Sequence, residues 1–305
     1  MIYTLTLNPA LDYTLNINRL KYSDINISPT QELNCGGKGI NVSLMLKNLK
    51  AESTALGFIA GFTGDELEKR LGEAGLKTDF LRLGGGLTRI NVKIRDGAET
   101  DINCDGPFIS ENDIIRLENK VKSLLKSGDV LCLSGSLPRS VPEDVYARII
   151  EAVSDSGVKI TVDTTGKALL NTLSFSPFLI KPNLKELGDL FSVSISNETD
   201  AVLYAERLVE MGAENVLVSM GKDGSVLVSR DCALRAYAPE GKVVNTVAAG
   251  DSTVAGFIAG MLSSADKESA LALATACGSA TAFSNSIGTK ESVMKLIDLV
   301  RIDKI

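Results

Sequence analysis

An aspartate at the start of a long helical pattern is the residue of this chain best placed to move a proton. Asp251 stands in the run Ala248-Ala249-Gly250-Asp251-Ser252, directly before the small, apolar segment 253–257. Small residues at a helix start leave backbone N–H groups bare, and the helix dipole makes that point attract anions. Asp251 could therefore take a proton from a hydroxyl group that attacks a phosphate held by those N–H groups. The alternative interpretation is that Asp251 only caps the helix.

A glycine-rich turn opens a second helical pattern, residues 38–49. Its sequence is Gly36-Gly37-Lys38-Gly39-Ile40-Asn41-Val42. Glycine lets a ligand approach the backbone closely, and Lys38 and Asn41 lie about one helical turn apart, so both can face one ligand. The turn is not a Gly-x-Gly-x-x-Gly dinucleotide fingerprint, and the chain has no Walker-type phosphate loop. The alternative is a plain strand-to-helix turn.

Polar residues on predicted strands suit a phosphorylated sugar. Asp12 follows the first strand, at the edge where open parallel sheets bind ligands, and a carboxylate accepts hydrogen bonds from sugar hydroxyls. Arg89, Asn91 and Lys93 alternate along one strand, so they share a face and could grip a phosphate. Asn103 would close the same hairpin. A turn aspartate and a solvated, charged strand face are the alternatives.

Two further segments suit a nucleotide. Asn183 and Glu186 have the spacing of a reciprocal helix cap, and alternatively both project toward a nucleotide and organise a hydrated Mg²⁺. The turn Ser219-Met220-Gly221-Lys222-Asp223-Gly224 offers either a flat glycine surface beside a nucleotide or a simple connection between strands. Together, these motifs are what a phosphoryl transferase between a nucleotide and a polyol would need.

Apolar β-rich runs alternate with helical patterns through most of the chain. The predicted strands are 1–7, 53–59, 129–133, 158–163, 177–181, 215–219 and 224–229. The predicted helices are 38–49, 64–75, 110–126, 142–155, 183–190, 199–211, 250–263 and 267–283. This alternation predicts an α/β fold with a mostly parallel central sheet and helices on both faces.

Two segments, 12–35 and 86–105, break this alternation. The second contains an alternating strand, an Asp96-Gly97 turn and another strand, which is typical of a β-hairpin. We expect both segments to form a small β-sheet that acts as a lid over the carboxyl ends of the large sheet. No long linker interrupts the chain, so residues 1–305 are expected to form a single domain.

Composition excludes several classes of protein. The chain of 305 residues carries a formal net charge of −6, has no basic cluster typical of nucleic-acid binding, and contains no histidine. The absence of histidine excludes Ser-His-Asp and Cys-His catalysis, so a general base must be Asp, Glu, Lys, Tyr or Cys. No apolar run reaches the roughly 18–20 residues needed to span a bilayer. The start resembles a strand rather than a signal peptide, and the scattered cysteines favour a cytoplasmic protein.

The ordered motifs resemble the ribokinase-like carbohydrate kinase family, which is named for the minor phosphofructokinase. Gly36–Asn41 resembles its first signature and Val247–Ser252 its second. Segments 88–94 and 99–103 are most similar to members that act on fructose 1-phosphate, and segment 6–12 is shared with members that act on tagatose 6-phosphate.

The resemblance implies a ribokinase-like fold and the ATP-dependent phosphorylation of D-fructose 1-phosphate to fructose 1,6-bisphosphate, with Mg²⁺. It implies that Asp251 is the general base and that the N–H groups of Ala248, Ala249, Gly250 and Asp251 form an anion hole. The implied phosphosugar contacts are Asp12, Gly37, Lys38, Asn41, Arg89, Asn91, Lys93 and Asn103. The implied contacts with MgATP are Asn183, Glu186 (to the metal through water), Ser219, Gly221, Lys222, Asp223, Gly224 and Ser252.

The resemblance also implies a homodimer joined through the lid, and it leaves two alternatives open. One is a kinase acting on tagatose 6-phosphate. The other is a non-catalytic sugar-phosphate sensor, because Ala248 stands where the family usually has glycine. If that residue requires a positive φ, its Cβ adds a strain of roughly 1 kcal/mol or more.

Overall fold

The computed structural model describes residues 1–264 and 266–305. Its strands are β1 Ile2–Thr6, β2 Ala10–Asn16, β3 Thr30–Gly36, β4 Ser53–Ile59, β5 Lys77–Thr78, β6 Leu81–Arg82, β7 Arg89–Arg95, β8 Glu99–Ile102, β9 Val130–Ser134, β10 Lys159–Asp163, β11 Leu179–Ile180, β12 Asn215–Ser219, β13 Ser225–Ser229, β14 Ala233–Tyr237 and β15 Arg301–Lys304. Its α-helices are α1 Lys38–Asn48, α2 Gly61–Glu73, α3 Glu111–Leu124, α4 Val145–Glu151, α5 Gly166–Leu170, α6 Leu184–Phe191, α7 Glu198–Glu210, α8 Ala249–Ser264, α9 Lys267–Ala282 and α10 Lys290–Ile297.

The large sheet is mostly parallel, as the alternation of strands and helices predicts. Its order is β15-β14-β13-β12-β11-β10-β9-β1-β4-β5, with β6 beside β4. The strands from β12 through β1 to β5 are parallel, whereas β13, β14 and β15 continue the sheet in antiparallel pairs. The carboxyl ends of the parallel strands therefore meet along one edge, where connecting loops can build a site.

Helices cover both faces of this sheet. Neighbouring residues of each central strand point to opposite sides, and the apolar side chains on each side pack against helices. In β9, Leu131 and Leu133 join a core cluster with α3, α4 and α7, while Val130 and Cys132 join a second cluster with α1, α8 and α9. Such strands are apolar without alternation, which is why they are readable as continuous runs in the sequence. Every helix in the described part of the chain is too short or too polar to span a membrane.

Helix α8 packs closely against α9 because two of its residues at the contact are glycines. A Cβ on Gly256 would lie 2.7 Å from the Cα of Ala274, and one on Gly260 would lie 2.6 Å from the Cα of Ala270. These contacts are with backbone atoms, which cannot rotate away. The glycines therefore fix the position of α8, and with it the position of Asp251 in its first turn.

A separate four-stranded sheet, ordered β3-β2-β7-β8, matches the two segments that break the α/β alternation. Strands β7 and β8 form the expected hairpin around Asp96 and Gly97, with Gly97 at φ +95°. Strand β2 pairs with β7 in parallel, and Asp12 lies opposite Asn91 in that register. The prediction of a small second sheet is confirmed.

Some predicted boundaries are wrong. The single helix expected over 142–155 is divided into α4 and a 3₁₀ turn at Ser154–Ser156, and the strand expected over 177–181 shortens to β11. The sequence reading also missed α5, α10 and β15. Strand β15 pairs only at the sheet edge and has polar residues at alternate positions, so no apolar run marks it.

Candidate active site

The two glycine-containing motifs meet at the carboxyl edge of the large sheet. The Nδ2 group of Asn41 in α1 donates a hydrogen bond of 2.8 Å to Oδ2 of Asp251 in α8. Asp251 is only 6% exposed although it lies in the first turn of its helix. Two segments far apart in the sequence thus converge on one carboxyl group.

Asp251 has a neighbour of the same charge that sequence reasoning missed. Asp163 ends β10, is 1% exposed, and accepts a hydrogen bond of 3.2 Å from Nζ of Lys38. Its Oδ1 atom also lies 3.5 Å from Nζ of Lys181, which follows β11. Both missed residues are polar groups at the ends of buried parallel strands, and that position was the signal available in the sequence.

These neighbours shift the two carboxyl groups in opposite directions. Burial, followed by the charge of Asp163, raises the pKa of Asp251 to about 6. Burial would also raise the pKa of Asp163, but the ammonium groups of Lys181 and Lys38 outweigh it and lower that pKa. For Lys38, burial favours the neutral form, yet Asp163, Asp251 and Glu186 outweigh burial and raise its pKa. Asp163 is therefore ionised, while Asp251 titrates near pH 6.

The first turn of α8 leaves several amides free. Among residues 1–264 and 266–305, the N–H groups of Ala248, Gly250 and Asp251 have no acceptor, whereas that of Ala249 bonds to the Thr246 carbonyl at 3.3 Å. These groups and the helix dipole together favour an anion at this point. Ala248 has φ +63°, which is the left-handed conformation that favours glycine.

A second polar cluster lies on the small sheet. Nδ2 of Asn91 donates to Oδ1 of Asp12 at 2.8 Å, and Oδ1 of Asn91 accepts from the Cys104 amide at 3.3 Å. A Cβ on Gly36 would lie 2.6 Å from Oδ2 of Asp12, so this glycine makes room for the carboxylate. Asp12 and Asn91 share a face of the sheet because they are register partners.

The two cations expected to bind a phosphate differ in their surroundings. Arg89 has a buried Nε without a hydrogen-bond partner in the described residues, and burial lowers the pKa of its guanidinium despite nearby Asp12. Lys93, by contrast, already pairs with Asp101 at 3.0 Å. Asn103 is exposed in the segment after β8, and Gly37 precedes α1 with φ +123°.

A cavity of about 530 Å³ borders the N-terminus of α8. Residues predicted to contact a nucleotide line it, namely Asn183, Ser219, Gly221, Lys222 and Gly224. Ala249 and Gly250 line it too, so the cavity reaches the free amides. The sequence reading missed the walls formed by segment 238–246 and by α9, because those residues carry no recognisable motif.

Three residues expected at the nucleotide lie outside the cavity lining. Ser252 is fully buried and shares a hydrogen bond of 2.8 Å with Thr281, so its side chain holds α8 to α9. Asp223 uses its carbonyl to accept from Arg235. Glu186 forms the reciprocal cap with Asn183, the structural alternative from the sequence, with hydrogen bonds of 2.8 and 2.9 Å. The contacts of Ser252, Asp223 and Glu186 with the nucleotide therefore stay predictions.

A mostly parallel sheet covered on both faces, a smaller second sheet, and a buried acid beside a helix N-terminus are the features of a ribokinase-like carbohydrate kinase. Residues 5–293 match the pattern of the pfkB family carbohydrate kinases. The chain therefore belongs to the pfkB family.

Similar proteins cover all or nearly all of the chain. It is 44% identical over 305 residues to the 1-phosphofructokinase of Bacillus subtilis (strain 168), with 100% of both chains covered. It is 39% identical over 289 residues to the D-tagatose-1-phosphate kinase of Bacillus licheniformis, with 94% of both covered. The solved structure of phosphofructokinase-2 from Escherichia coli in complex with substrates and products has a TM-score of 0.91 at 28% identity, covering 98% of both chains.

Replacing Ala248 by glycine tests the strain at the anion site. Because left-handed backbone costs a residue with a Cβ about 1–2 kcal/mol, partly offset by the freedom glycine gains when unfolded, Ala248→Gly should raise the free energy of unfolding by up to about 1 kcal/mol. Urea denaturation measures it. The matched control is Ala152→Gly at φ −61°, which should lower stability. Equal losses in both variants would contradict strain at Ala248.

Proposed function

We propose that the protein transfers the γ-phosphoryl group of ATP to the 6-hydroxyl of D-fructose 1-phosphate, giving ADP and fructose 1,6-bisphosphate. The observation that carries this proposal is the buried Asp251 carboxyl group beside free amides and Asn41. The full-length similarity to the Bacillus subtilis 1-phosphofructokinase supports fructose 1-phosphate as the acceptor.

D-Tagatose 1-phosphate is a second candidate acceptor, because a relative with 39% identity carries the name of a kinase for that sugar. Tagatose and fructose differ in configuration at a single carbon, while the phosphate and the reacting hydroxyl group keep their positions. Tagatose 6-phosphate remains the alternative suggested by the opening segment of the sequence. All three acceptors use the same reaction chemistry.

In the proposed mechanism, Asp251 accepts the proton of the attacking hydroxyl group. A pKa near 6 leaves it mostly ionised at neutral pH, yet still basic enough for proton transfer. Asn41 orients the carboxylate through its hydrogen bond. The amides of Ala248, Gly250 and Asp251 stabilise the charge on the moving phosphoryl group, where positioning matters more than base strength in a loose transition state.

The phosphosugar lies, in this proposal, between Lys38 and the polar face of the small sheet. Asp12 accepts from sugar hydroxyls, and Gly37 and Asn103 border the sugar. The unpartnered Nε of Arg89 donates to the resident phosphate, with Asn91 and Lys93 on the same face. A buried guanidinium without an acceptor is costly, so a phosphate ligand would satisfy it.

Residues around Glu186 fit Mg²⁺ held by waters and phosphates. Among the described residues no cluster of three or more His, Cys, Asp or Glu side chains forms a metal cage. Mg²⁺ usually binds proteins through one or two carboxylates and keeps several waters. Glu186, which caps α6 outside the cavity lining, would hold the hydrated ion through water, close to Asn183 of the cavity. When bound, the ion neutralises charge on the ATP phosphates.

We further propose that residues 1–305 form one kinase domain that dimerises through the lid. The outer face of the lid, defined here by Leu11, Tyr13, Leu33 and Ile90, borders an open cavity of about 640 Å³ beside α2. Leu11 is buried against the core, whereas Tyr13, Leu33 and Ile90 are partly exposed, and exposed apolar area of this kind suits a second copy better than water. A cytoplasmic location belongs to the same proposal, since the described cysteines are all free thiols.

The acceptor is tested by ADP release with MgATP and each of fructose 1-phosphate, tagatose 1-phosphate, tagatose 6-phosphate and fructose 6-phosphate. The proposal predicts the highest kcat/KM for fructose 1-phosphate, by about tenfold or more, which corresponds to about 1.4 kcal/mol of transition-state discrimination. A preference for a tagatose phosphate would identify that sugar phosphate as the substrate instead. Thermal stabilisation without turnover would instead favour the sugar-phosphate sensor.

Asp251→Asn should lower kcat by about 10²–10⁴-fold, because the amide keeps the shape but cannot accept the proton. Affinity for ATP and the circular dichroism spectrum should be unchanged. In the wild-type enzyme, kcat/KM should rise with pH through about 6 and then level off, since the base must lose its proton. If kcat of the Asp251→Asn variant were within tenfold of the wild-type value, Asp251 would be ruled out as the general base.

The variants Arg89→Ala and Lys93→Ala test how much each cation contributes to binding of the phosphosugar. Arg89→Ala should raise KM for the phosphosugar by about 10–100-fold, as expected for the loss of a charged hydrogen bond. Lys93→Ala should raise it less, because Asp101 already neutralises that ammonium. KM for ATP should stay constant in both variants. A selective ATP defect would show that the phosphate grip is misplaced.

The dimer is tested by light scattering at several protein concentrations. Ile90→Lys places a charge on the outer face of the lid and should halve the mass of the particle. Glu32→Lys is the matched control, since Glu32 pairs with Thr14 on the opposite face. A wild-type monomer, or equal effects of both variants, would contradict the lid interface.

A further inference from the structure

A buried guanidinium group supports the turn that borders the nucleotide cavity. Arg235 in β14 is only 5% exposed. It donates hydrogen bonds to three backbone carbonyl groups, those of Asp223, Ser225 (3.2 Å) and Ala236 (2.8 Å). Asp223 lies in the turn 219–224, and Ser225 begins β13. One side chain thus joins the turn to the two strands beside it, and the proposed mechanism gives this residue no role.

A second set of contacts fixes the guanidinium group itself. Its Nε atom lies 2.7 Å from Oε2 of Glu198, the first residue of α7, as an ion pair in which the N–H bond is not aimed at the carboxylate. Its Cζ atom lies 4.5 Å from the ring centroid of Tyr237. A planar guanidinium group with carbonyl, carboxylate and ring contacts has a fixed orientation. Arg235 therefore ties the turn to α7 as well as to the sheet.

The turn leaves two backbone donors unused. In residues 1–264 and 266–305, the N–H groups of Gly221 and Lys222 find no acceptor, and both residues line the cavity. The N–H group of Met220, by contrast, donates to the Gly224 carbonyl at 2.8 Å. A Cβ on Gly224 would lie 2.1 Å from the carbonyl oxygen of Ala236, so the turn lies tightly against β14. The position of the two free amides therefore depends on how the turn is held there.

Loss of the guanidinium group would weaken this support. Ser225 and Ala236 are buried, and a buried carbonyl group that loses its donor costs free energy. The turn would relieve that cost by shifting toward water, and it would keep its present arrangement for only part of the time. The apparent affinity for a ligand falls in proportion to the fraction of molecules that can bind it.

We propose that Arg235 is a positioning residue for nucleotide binding, which holds the turn 219–224 in the arrangement that the nucleotide requires, and that Glu198 holds Arg235 in place. Arg235 does not itself line the cavity, so it acts through the turn. This inference rests on the proposed function, because it takes the cavity to be the nucleotide site.

A purely structural role is the competing explanation, in which Arg235 only stabilises the pairing of β13 with β14. Its loss would then lower the free energy of unfolding, but the folded molecules would bind nucleotide as the wild type does. Under the proposal, the Kd and KM for the nucleotide rise while kcat at saturating MgATP changes little, because bound nucleotide selects the ordered turn. The split between KM for ATP and kcat therefore separates the two roles.

The test compares Arg235→Met and Arg235→Lys with Arg301→Met. Arg301 lies against the same aromatic ring, with its Cζ atom 3.8 Å from the centroid of Tyr237, but its side chain is 65% exposed and pairs with Asp303. It therefore serves as the matched control. Isothermal titration calorimetry measures the Kd for MgADP, steady-state assays give kcat and both KM values, and urea denaturation gives the stability of each variant.

Arg235→Met should raise the Kd for MgADP and the KM for ATP by about tenfold, and leave kcat and the KM for the phosphosugar within about threefold of wild type. Arg235→Lys should recover part of the loss, because it keeps the charge but not the planar fork. Arg301→Met should match wild type. Unchanged nucleotide constants in folded Arg235→Met, equal changes in Arg301→Met, or a loss confined to kcat would overturn the proposal.

If Arg235→Met fails to fold, Glu198→Gln provides the second test. Glu198 is 40% exposed, so this change removes the ion pair without opening a buried gap. It should raise the Kd for MgADP by about two- to fivefold, as expected for a partly exposed ion pair. Wild-type values of that Kd in both Glu198→Gln and Arg235→Lys would count against Arg235.

The proposed function and this inference fail in different ways. Wild-type protein that binds MgADP but phosphorylates none of the sugars would contradict the proposed function alone, because the Kd values of the variants are measured without turnover. Wild-type protein that binds no nucleotide would contradict both. A wild-type Kd for MgADP in folded Arg235→Met, in an enzyme that phosphorylates fructose 1-phosphate, would contradict the inference alone.

Discussion

The shared ion pair of Asp163 with Lys38 and Lys181 is the interaction on which the candidate site depends. It joins the ends of β10 and β11 to the glycine-rich start of α1. A buried carboxylate is costly unless cations compensate it, so the two ion pairs favour this arrangement of the three segments. The same pair places two ammonium groups next to the N-terminus of α8, and the electrostatics of the site follow from that placement.

Two neighbouring carboxyl groups acquire different properties in this arrangement. Asp163 has cations on both sides and stays ionised, while Asp251 has a hydrogen bond from Asn41 and the repulsion of Asp163. Pairs of acids whose surroundings drive their pKa values apart mark a division of roles in active sites. Here the low-pKa acid fixes cations, and the high-pKa acid is available to exchange a proton.

The small sheet has two chemically distinct faces, because polar and apolar side chains alternate along its strands. Asp12 and Asn91 pair across β2 and β7 on one face, while Leu11 and Ile90 pair on the other. Because side chains alternate along a strand, one sheet can present polar groups toward a sugar and apolar groups toward a partner. In the proposed function, a single layer of backbone would thus carry both the substrate-binding face and the dimer face.

The sequence alone determined the alternation of strands and helices, the second sheet and the two motifs that meet at Asp251, because periodicity and glycine-rich turns are local signals. It could not reveal that Asp163 pairs with Lys181, since their pairing depends on the order of strands in the sheet. It also could not decide that Ser252 packs against Thr281 or that Ala248 adopts φ +63°. Those outcomes follow from contacts between distant segments, which only the tertiary structure brings together.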